Sequence, residues 1–196
     1  MHYSLITTFL IGGLMLLSLL AFNISLSTTT QETTLSAINQ FSSDDIAQVL
    51  SNDFKRIGFN DDNEDQTFEE PVLATSDDTE IEFTINTTGS TIRWYADSTS
   101  SVPSTTNPDD FYLYREEDGT ITSYFPVVFF EIKYLFYDNA SRQWIETPDP
   151  ENAKRFEVEF MLESGESIRQ KEITGAEYHR TAWKRTFTPH NINKPW

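Results

Sequence analysis

A run of twenty residues without a single charge, from Leu5 to Ile24, constrains this chain more than any other feature. A helix of that length rises ~30 Å, which is about the thickness of the hydrocarbon core of a bilayer. The run is longer than the apolar region of a cleaved secretory signal, and no Lys or Arg precedes it. We therefore expect a retained membrane span, with a cleaved signal as the alternative.

Two adjacent glycines interrupt the large apolar side chains of this run. Glycine has no side chain to hold a second helix away, so the pair favours close approach between helices in a membrane. Such pairs are also ordinary in single spans, and both interpretations stay open. The positions that we expect to contact lipid or a neighbouring helix are Leu5, Phe9, Gly12, Gly13, Leu16 and Leu20.

All formal charge lies after residue 30, where 31 acidic residues outnumber 14 basic ones and leave a net charge of -17. Such a chain repels phosphate backbones, so we expect no nucleic-acid partner. The sequence contains no cysteine, which excludes disulfides, thiolate metal sites and cysteine nucleophiles. The roughly 170 residues behind the span suffice for one domain with a single core.

A second helical pattern follows the span, with no proline between them. The intervening Ser- and Thr-rich residues 25–34 are either a linker or the polar continuation of one helix. Polar residues 42–45 likewise allow a continuous helix or two helices that meet near residue 43. Gly58 suits the left-handed position that ends a helix. Steps of three and four place on one face, for packing on a sheet, Leu35, Ile38, Phe41, Ile46, Val49, Leu50, Phe54 and Ile57.

The second half of the chain shows the period of two that is typical of strands. Asp118-Gly119 predicts a tight hairpin. About eight strands in an antiparallel meander need an apolar cover on one face, and the helix is available for that role. The predicted class is therefore α+β. The predicted strands cover residues 81–85, 91–95, 111–115, 120–124, 127–137, 155–163 and 178–188.

These patterns divide the chain into four parts. Residues 1–27 form the membrane anchor, residues 28–59 the amphipathic helix, residues 60–79 an acidic loop and residues 80–196 the antiparallel β domain. We expect no catalytic activity, because the three histidines are scattered and no nucleophile motif is present.

The acidic loop contains a partial match to a calcium-binding loop. Asp61, Asn63 and Asp65 supply oxygen ligands at alternate positions. Gln66 stands where such loops carry glycine, and Val72 stands where they carry the last glutamate. Calcium is the one candidate cofactor, and a solvated acidic loop is the simpler interpretation.

The end of the helix resembles a known family. Residues 46–59, IAQVLSNDFKRIGF, are similar to the "ALdlLsrDlRxAGy" helix end of W-type minor pilins and of the J-type pseudopilins of type II secretion. Asp53, Arg56 and Gly58 stand at the matching positions. The strand IRWY (92–95) and the hairpin LYR with DG (113–119) also resemble this family, and order and spacing agree over most of residues 46–191.

The resemblance implies a pilin-like fold, in which a long N-terminal helix packs on an antiparallel sheet. It further implies a structural subunit of a type IV pilus or type II secretion pseudopilus, with an initiation or tip role. Its partners would be other pilin-like subunits and the inner-membrane assembly platform. The anchor would lie in a bacterial inner membrane, with the soluble domain in the periplasm or outside the cell in a filament.

One departure from the family lies at the N-terminus. Leu5 stands where the family carries Glu, if Met1 is mature residue one, and no Gly-aromatic leader site precedes the apolar run. Two interpretations follow: either the leader has been lost, or the chain does not polymerise in the standard way. The alternative function is a monomeric, membrane-anchored extracytoplasmic binding domain.

Overall fold

A computed structural model of the chain describes residues 2–58, 72, 76–85, 90–171 and 175–189. The predicted α+β class is confirmed, since one long helix, α1 (His2–Lys55), packs on antiparallel sheets. The strands that follow are β1 (Glu80–Thr84), β2 (Thr91–Asp97), β3 (Phe111–Glu117), β4 (Thr120–Val127), β5 (Phe129–Asp138), β6 (Gln143–Glu146), β7 (Arg155–Glu163), β8 (Arg169–Lys171), β9 (Gly175–Glu177) and β10 (Arg180–Phe187).

Helix α1 is continuous over 54 residues, so it is ~80 Å long. It runs without a break through the Ser- and Thr-rich stretch and through residues 42–45, which decides both open alternatives in favour of one helix. Each threonine hydroxyl of that stretch donates to the carbonyl four residues earlier, so its hydrogen bond is made within the helix. These hydroxyls belong to Thr28, Thr29, Thr30, Thr33 and Thr34, at 2.8–3.0 Å.

The helix ends where the sequence predicts. Gly58 has a φ of 67°, the left-handed conformation that glycine adopts without steric cost. The Arg56 N–H donates to the Asp53 carbonyl at 2.9 Å, and the Gly58 N–H donates to Thr84 of β1 at 3.4 Å. The chain therefore leaves α1 directly onto the edge of the first sheet.

The strands form two four-stranded sheets and one two-stranded ribbon. The first sheet is a meander in the order β1-β2-β3-β4, and its β3–β4 turn is Asp118-Gly119, with φ of 50° and 77°. The second sheet has the order β10-β7-β5-β6, so it is not a meander. Strands β6, β8 and β9 contain only three or four residues each, too few to show a period of two in the sequence.

Both sheets share one core with the second half of α1. The ring of Phe54 lies 5.8 Å from Phe83 of β1, 6.0 Å from Phe156 of β7 and 5.0 Å from Phe187 of β10, measured between centroids. The Tyr134 hydroxyl of β5 also donates to the Glu80 carbonyl of β1 at 2.8 Å. Phe54 is thus the point where the helix meets both sheets.

The helix face that packs on the sheets differs in phase from the predicted one. Ile38 and Phe41, which we predicted to pack, are 53% and 75% exposed, and this part of the prediction is corrected. Polar Asn39 and Ser43 occupy the inward positions of these turns. At ~100° per residue, Phe41 therefore lies about 160° from the centre of the buried stripe. Leu35 and Val49 are half-buried, and the predicted positions in the core are Ile46, Leu50, Phe54 and Ile57.

Helix α1 and strand β10 run in the same direction. The Asn39 amide donates to the His179 carbonyl at 2.8 Å, and the Arg185 guanidinium donates to the Ser51 hydroxyl at 3.2 Å. The end of the domain near Asn39 therefore faces the apolar half of the helix, and the end near Phe54 is distal from it.

Truncation of Phe54 tests this packing. Phe54→Ala should lower the free energy of unfolding by about 3–5 kcal/mol, because it removes a buried ring that contacts both sheets. Phe41→Ala, on the exposed side of the same helix, should change it by less than about 0.5 kcal/mol. Urea unfolding of the full chain in detergent, followed by tryptophan fluorescence, measures both. Equal losses would contradict the observed phase of the helix.

Candidate functional site

The first half of α1 is an apolar surface on which none of the described residues packs. Phe9 is 84% exposed, and large apolar side chains remain exposed as far as Leu26. By length and composition this helix can cross a membrane, and none of its most apolar window is buried within the chain. Leu16 and Leu20 lie on this exposed surface, whereas the side chain of Leu5 lies outside the described part. An exposed surface of this kind needs lipid or another apolar partner.

The glycine pair lies in the middle of this surface. A Cβ atom added at Gly12 or at Gly13 would meet nothing within 4 Å. The two residues therefore leave a shallow notch on the helix, which suits a close helix–helix contact. That contact stays a prediction.

At its other end α1 is joined to the first sheet by a buried group of polar side chains: Asp53, Trp94 and Arg115, here called the Asp53 cluster. The Asp53 carboxylate accepts from Arg115 Nε at 2.6 Å and from Arg115 Nη2 at 3.1 Å. It also accepts from Trp94 Nε1 at 3.0 Å. The side chains of Arg115 and Asp53 are 10% and 4% exposed. Asp53 and Arg115 therefore form a bidentate ion pair that is almost inaccessible to solvent.

The Arg115 guanidinium has two further acceptors. Its Nη1 donates to Glu117 Oε2 at 3.0 Å and to the Thr122 hydroxyl at 2.7 Å. The hydrogen bond to Asp53 is the main reason why the pKa of Arg115 is raised, so the guanidinium stays charged. A guanidinium that stays charged has no proton to exchange, so Arg115 suits a structural role rather than acid–base chemistry.

Each member of the Asp53 cluster belongs to a separate motif of the sequence, and none of these motifs predicts their contact. Asp53 belongs to the helix-end motif, Trp94 to the IRWY strand and Arg115 to the LYR hairpin. A signal was present, because Arg115 alternates in phase with buried Leu113 and Asp53 falls on the buried stripe of α1. A buried arginine and a buried aspartate are each costly alone, which favours pairing them.

The candidate calcium ligands Asp61, Asn63 and Asp65 lie outside the described residues. Among the residues that are described, no group of three or more His, Asp or Glu side chains is placed to hold a metal ion.

A concavity of about 550 Å³ lies at the end of the domain that faces the apolar half of α1. Asp110 and Glu163 are among its lining residues. Burial is the main cause that raises the pKa of Asp110 above its ordinary value, and the negative charge of Glu163 acts in the same direction. The Asn107 amide donates to both carboxylates, at 3.4 Å and 2.9 Å. Asp110 is therefore a buried carboxyl whose charged form the fold disfavours.

No protein-family model matches the sequence, and neither a curated protein nor a solved structure matches the chain. The long apolar helix packed on antiparallel sheets is compatible with a pilin-like fold.

Substitutions of Asp53 and Arg115 should have non-additive effects on the free energy of unfolding. Arg115→Met should lower the free energy of unfolding by about 3–5 kcal/mol, because it leaves the Asp53 carboxylate buried without its counter-charge. The double variant Asp53→Leu/Arg115→Met should recover at least half of that loss, since no uncompensated charge remains. Urea unfolding of the full chain in detergent gives both values.

Arg93→Met is the matched control, because Arg93 forms a half-exposed pair with Glu80 at 2.7 Å on the same sheet. It should cost less than about 1 kcal/mol. A double variant as unstable as Arg115→Met would show that lost packing, and not the unpaired charge, explains the effect.

Replacing Asp110 with a neutral residue should give a pH-dependent gain in stability. Its folded pKa is raised above the ordinary value of about 3.9, so its ionisation weakens the folded state as the pH rises through the raised pKa. Asp110→Asn should therefore melt at a higher temperature than the parent chain at pH 7, and the gain should vanish below about pH 4. Circular dichroism melts across this range measure it. The exposed neighbour Asp109→Asn should show no such gain, and an equal gain there would contradict the assignment.

Proposed function

We propose that this chain is a structural subunit of the pilin-like type, resembling W-type minor pilins and J-type pseudopilins, which assembles through the apolar half of α1. The observation that carries the proposal is the division of one continuous helix into two environments. Its first half is apolar and exposed, and its second half is buried against two sheets.

The length of the helix supports a role at a membrane. The exposed apolar side chains extend to Leu26, and the first buried residue of α1 is Asn39. The thirteen-residue step from Leu26 to Asn39 rises ~20 Å, so the domain would stand clear of the headgroups on a helical stalk. The stalk contains no proline and belongs to one continuous helix, which favours a spacer of fixed length.

The proposed partners are the helices of other pilin-like subunits and an inner-membrane assembly platform. Van der Waals packing at the notch of Gly12 and Gly13 would replace lipid contacts on assembly. The exposed Ile38 and Phe41 would then lie at the base of the domain, where a neighbouring helix can cover them. The location proposed is a bacterial inner membrane, with the domain in the periplasm or at the surface of a filament.

Cysteine crosslinking in cells tests assembly, because the chain contains no cysteine of its own. We expect Leu16→Cys, on the exposed apolar helix, to give covalent dimers with other pilin-like chains after treatment with a membrane-permeant bismaleimide, provided that the partner also carries a cysteine in its span. Phe41→Cys should give similar products from the exposed side of α1 at the base of the domain. Mass spectrometry of the adducts identifies the partner.

Thr120→Cys is the control, because this residue is exposed at the β3–β4 hairpin, away from α1. Monomer alone from Leu16→Cys and Phe41→Cys would favour the rival function, a monomeric, membrane-anchored binding domain. Such a domain uses the same apolar helix as an anchor and needs no helical neighbour.

A further inference from the structure

The membrane-distal end of the second sheet carries an open concavity of about 540 Å³, where β5 ends and β6 begins. It lies beyond Tyr134, which contacts Phe156 beside the distal end of α1. Ligand sites in proteins have volumes of ~300–1,000 Å³ and combine aromatic walls with a few polar groups. The residues that matter here are Phe136, Tyr137, Asn139, Trp144, Asn152 and Lys154.

The aromatic wall of this concavity is held in place before any ligand arrives. Tyr137 and Trp144 are directly opposite one another on β5 and β6, and their ring centroids lie 5.5 Å apart at an angle of 63°. The Arg155 guanidinium lies 4.0 Å from the centre of the Trp144 ring and covers one of its faces. Arg155 is itself fixed by a hydrogen bond from its Nε to the Thr188 hydroxyl at 3.2 Å. Little side-chain entropy would be lost on binding.

The polar groups beside the wall are also positioned by the fold. Asn139 begins a turn in which the Asp138 carboxylate accepts from the N–H groups of Ala140 and Ser141, both at 3.0 Å. Asn152 donates to Asp149 at 2.7 Å, which orients its amide. Among the described lining residues, Lys154 carries the charge. Two amides and one ammonium supply both donors and acceptors around an apolar floor.

We propose that this concavity binds a neutral saccharide. A pyranose ring presents C–H groups on one face and hydroxyls around its rim. The C–H groups match the negative face of an aromatic ring, and the hydroxyls match amides that both donate and accept. Half-exposed Tyr137, with 43% of its surface free, supplies a ring that a sugar can reach.

Two other ligand classes match the site less well. A quaternary ammonium group would also choose an aromatic wall, but Lys154 and Arg155 place positive charge beside it. An acidic saccharide would meet the carboxylates of Asp138 and Asp149, which adjoin Asn139 and Asn152, in a chain with a net charge of -17. The saccharide site goes beyond the proposed assembly function and does not depend on it, since the concavity lies at the opposite end of the molecule from the apolar helix.

The test uses the full chain in lipid nanodiscs, which avoids detergents with a sugar headgroup. Maltose, lactose, cellobiose and diacetylchitobiose are the neutral probes, sialyllactose is the acidic probe and tetramethylammonium is the cationic probe. Titration calorimetry and saturation-transfer NMR should show saturable binding of at least one neutral disaccharide. Trp144→Ala and Tyr137→Ala should each weaken it about tenfold or more, because each removes a stacking ring and its buried area.

Tyr124→Ala is the matched control, since Tyr124 is a 62% exposed ring on the first sheet with an aromatic neighbour at 5.3 Å. It should leave the affinity unchanged within about twofold. Tyr137→Ala keeps the test valid if the half-buried Trp144 is needed for folding, which a melting curve reports. The proposal is overturned if no neutral disaccharide binds, if only the acidic or cationic probe binds, or if Tyr124→Ala weakens binding as much as Tyr137→Ala does. None of these results bears on crosslinking of the apolar helix.

Discussion

The buried pairing of Asp53 with Arg115 is the constraint on which the arrangement of helix and sheets depends. Apolar contacts such as those of Phe54 are non-directional and would tolerate a helix turned by some tens of degrees about its axis. The Asp53 carboxylate, next to Phe54 on the helix, does not tolerate such a rotation. Leaving it buried without the Arg115 guanidinium would cost several kcal/mol. The ion pair therefore selects the rotation of α1, and the apolar core supplies most of the stability.

That rotation determines what the rest of the helix presents to its surroundings. With Asp53 turned inward, Asn39 and Ser43 also face the domain, while Ile38 and Phe41 face away from it. Because α1 is one continuous helix, the same rotation is transmitted along the stalk to Gly12 and Gly13. A polar contact at the distal end of the domain thus sets the rotation of the exposed apolar half of the same helix.

The molecule separates its two proposed contacts by the whole length of the domain. The apolar half of α1 lies at one end, and the concavity beside Tyr137 and Trp144 lies at the other. The parallel course of α1 and β10 establishes this separation, since Asn39 meets His179 near the anchor and Phe54 meets Phe187 far from it. A subunit built this way can be held at its base and still present a binding surface at its tip.

The sequence by itself determined the features that depend on local spacing. The uncharged run sets the length of the exposed apolar half of α1, the period of two marks the long strands, and Gly58 and Asp118-Gly119 mark where the backbone must turn. Only the tertiary structure decided the phase of the packed helix face, the order β10-β7-β5-β6 and the contact of Asp53 with Arg115. Periodicity is a property of residues close together in the sequence. The phase of a packed helix face and the pairing of side chains depend instead on distant partners, which are 62 residues apart for Asp53 and Arg115. Each segment alone places a charged side chain on a buried face, but neither identifies the partner that this side chain meets.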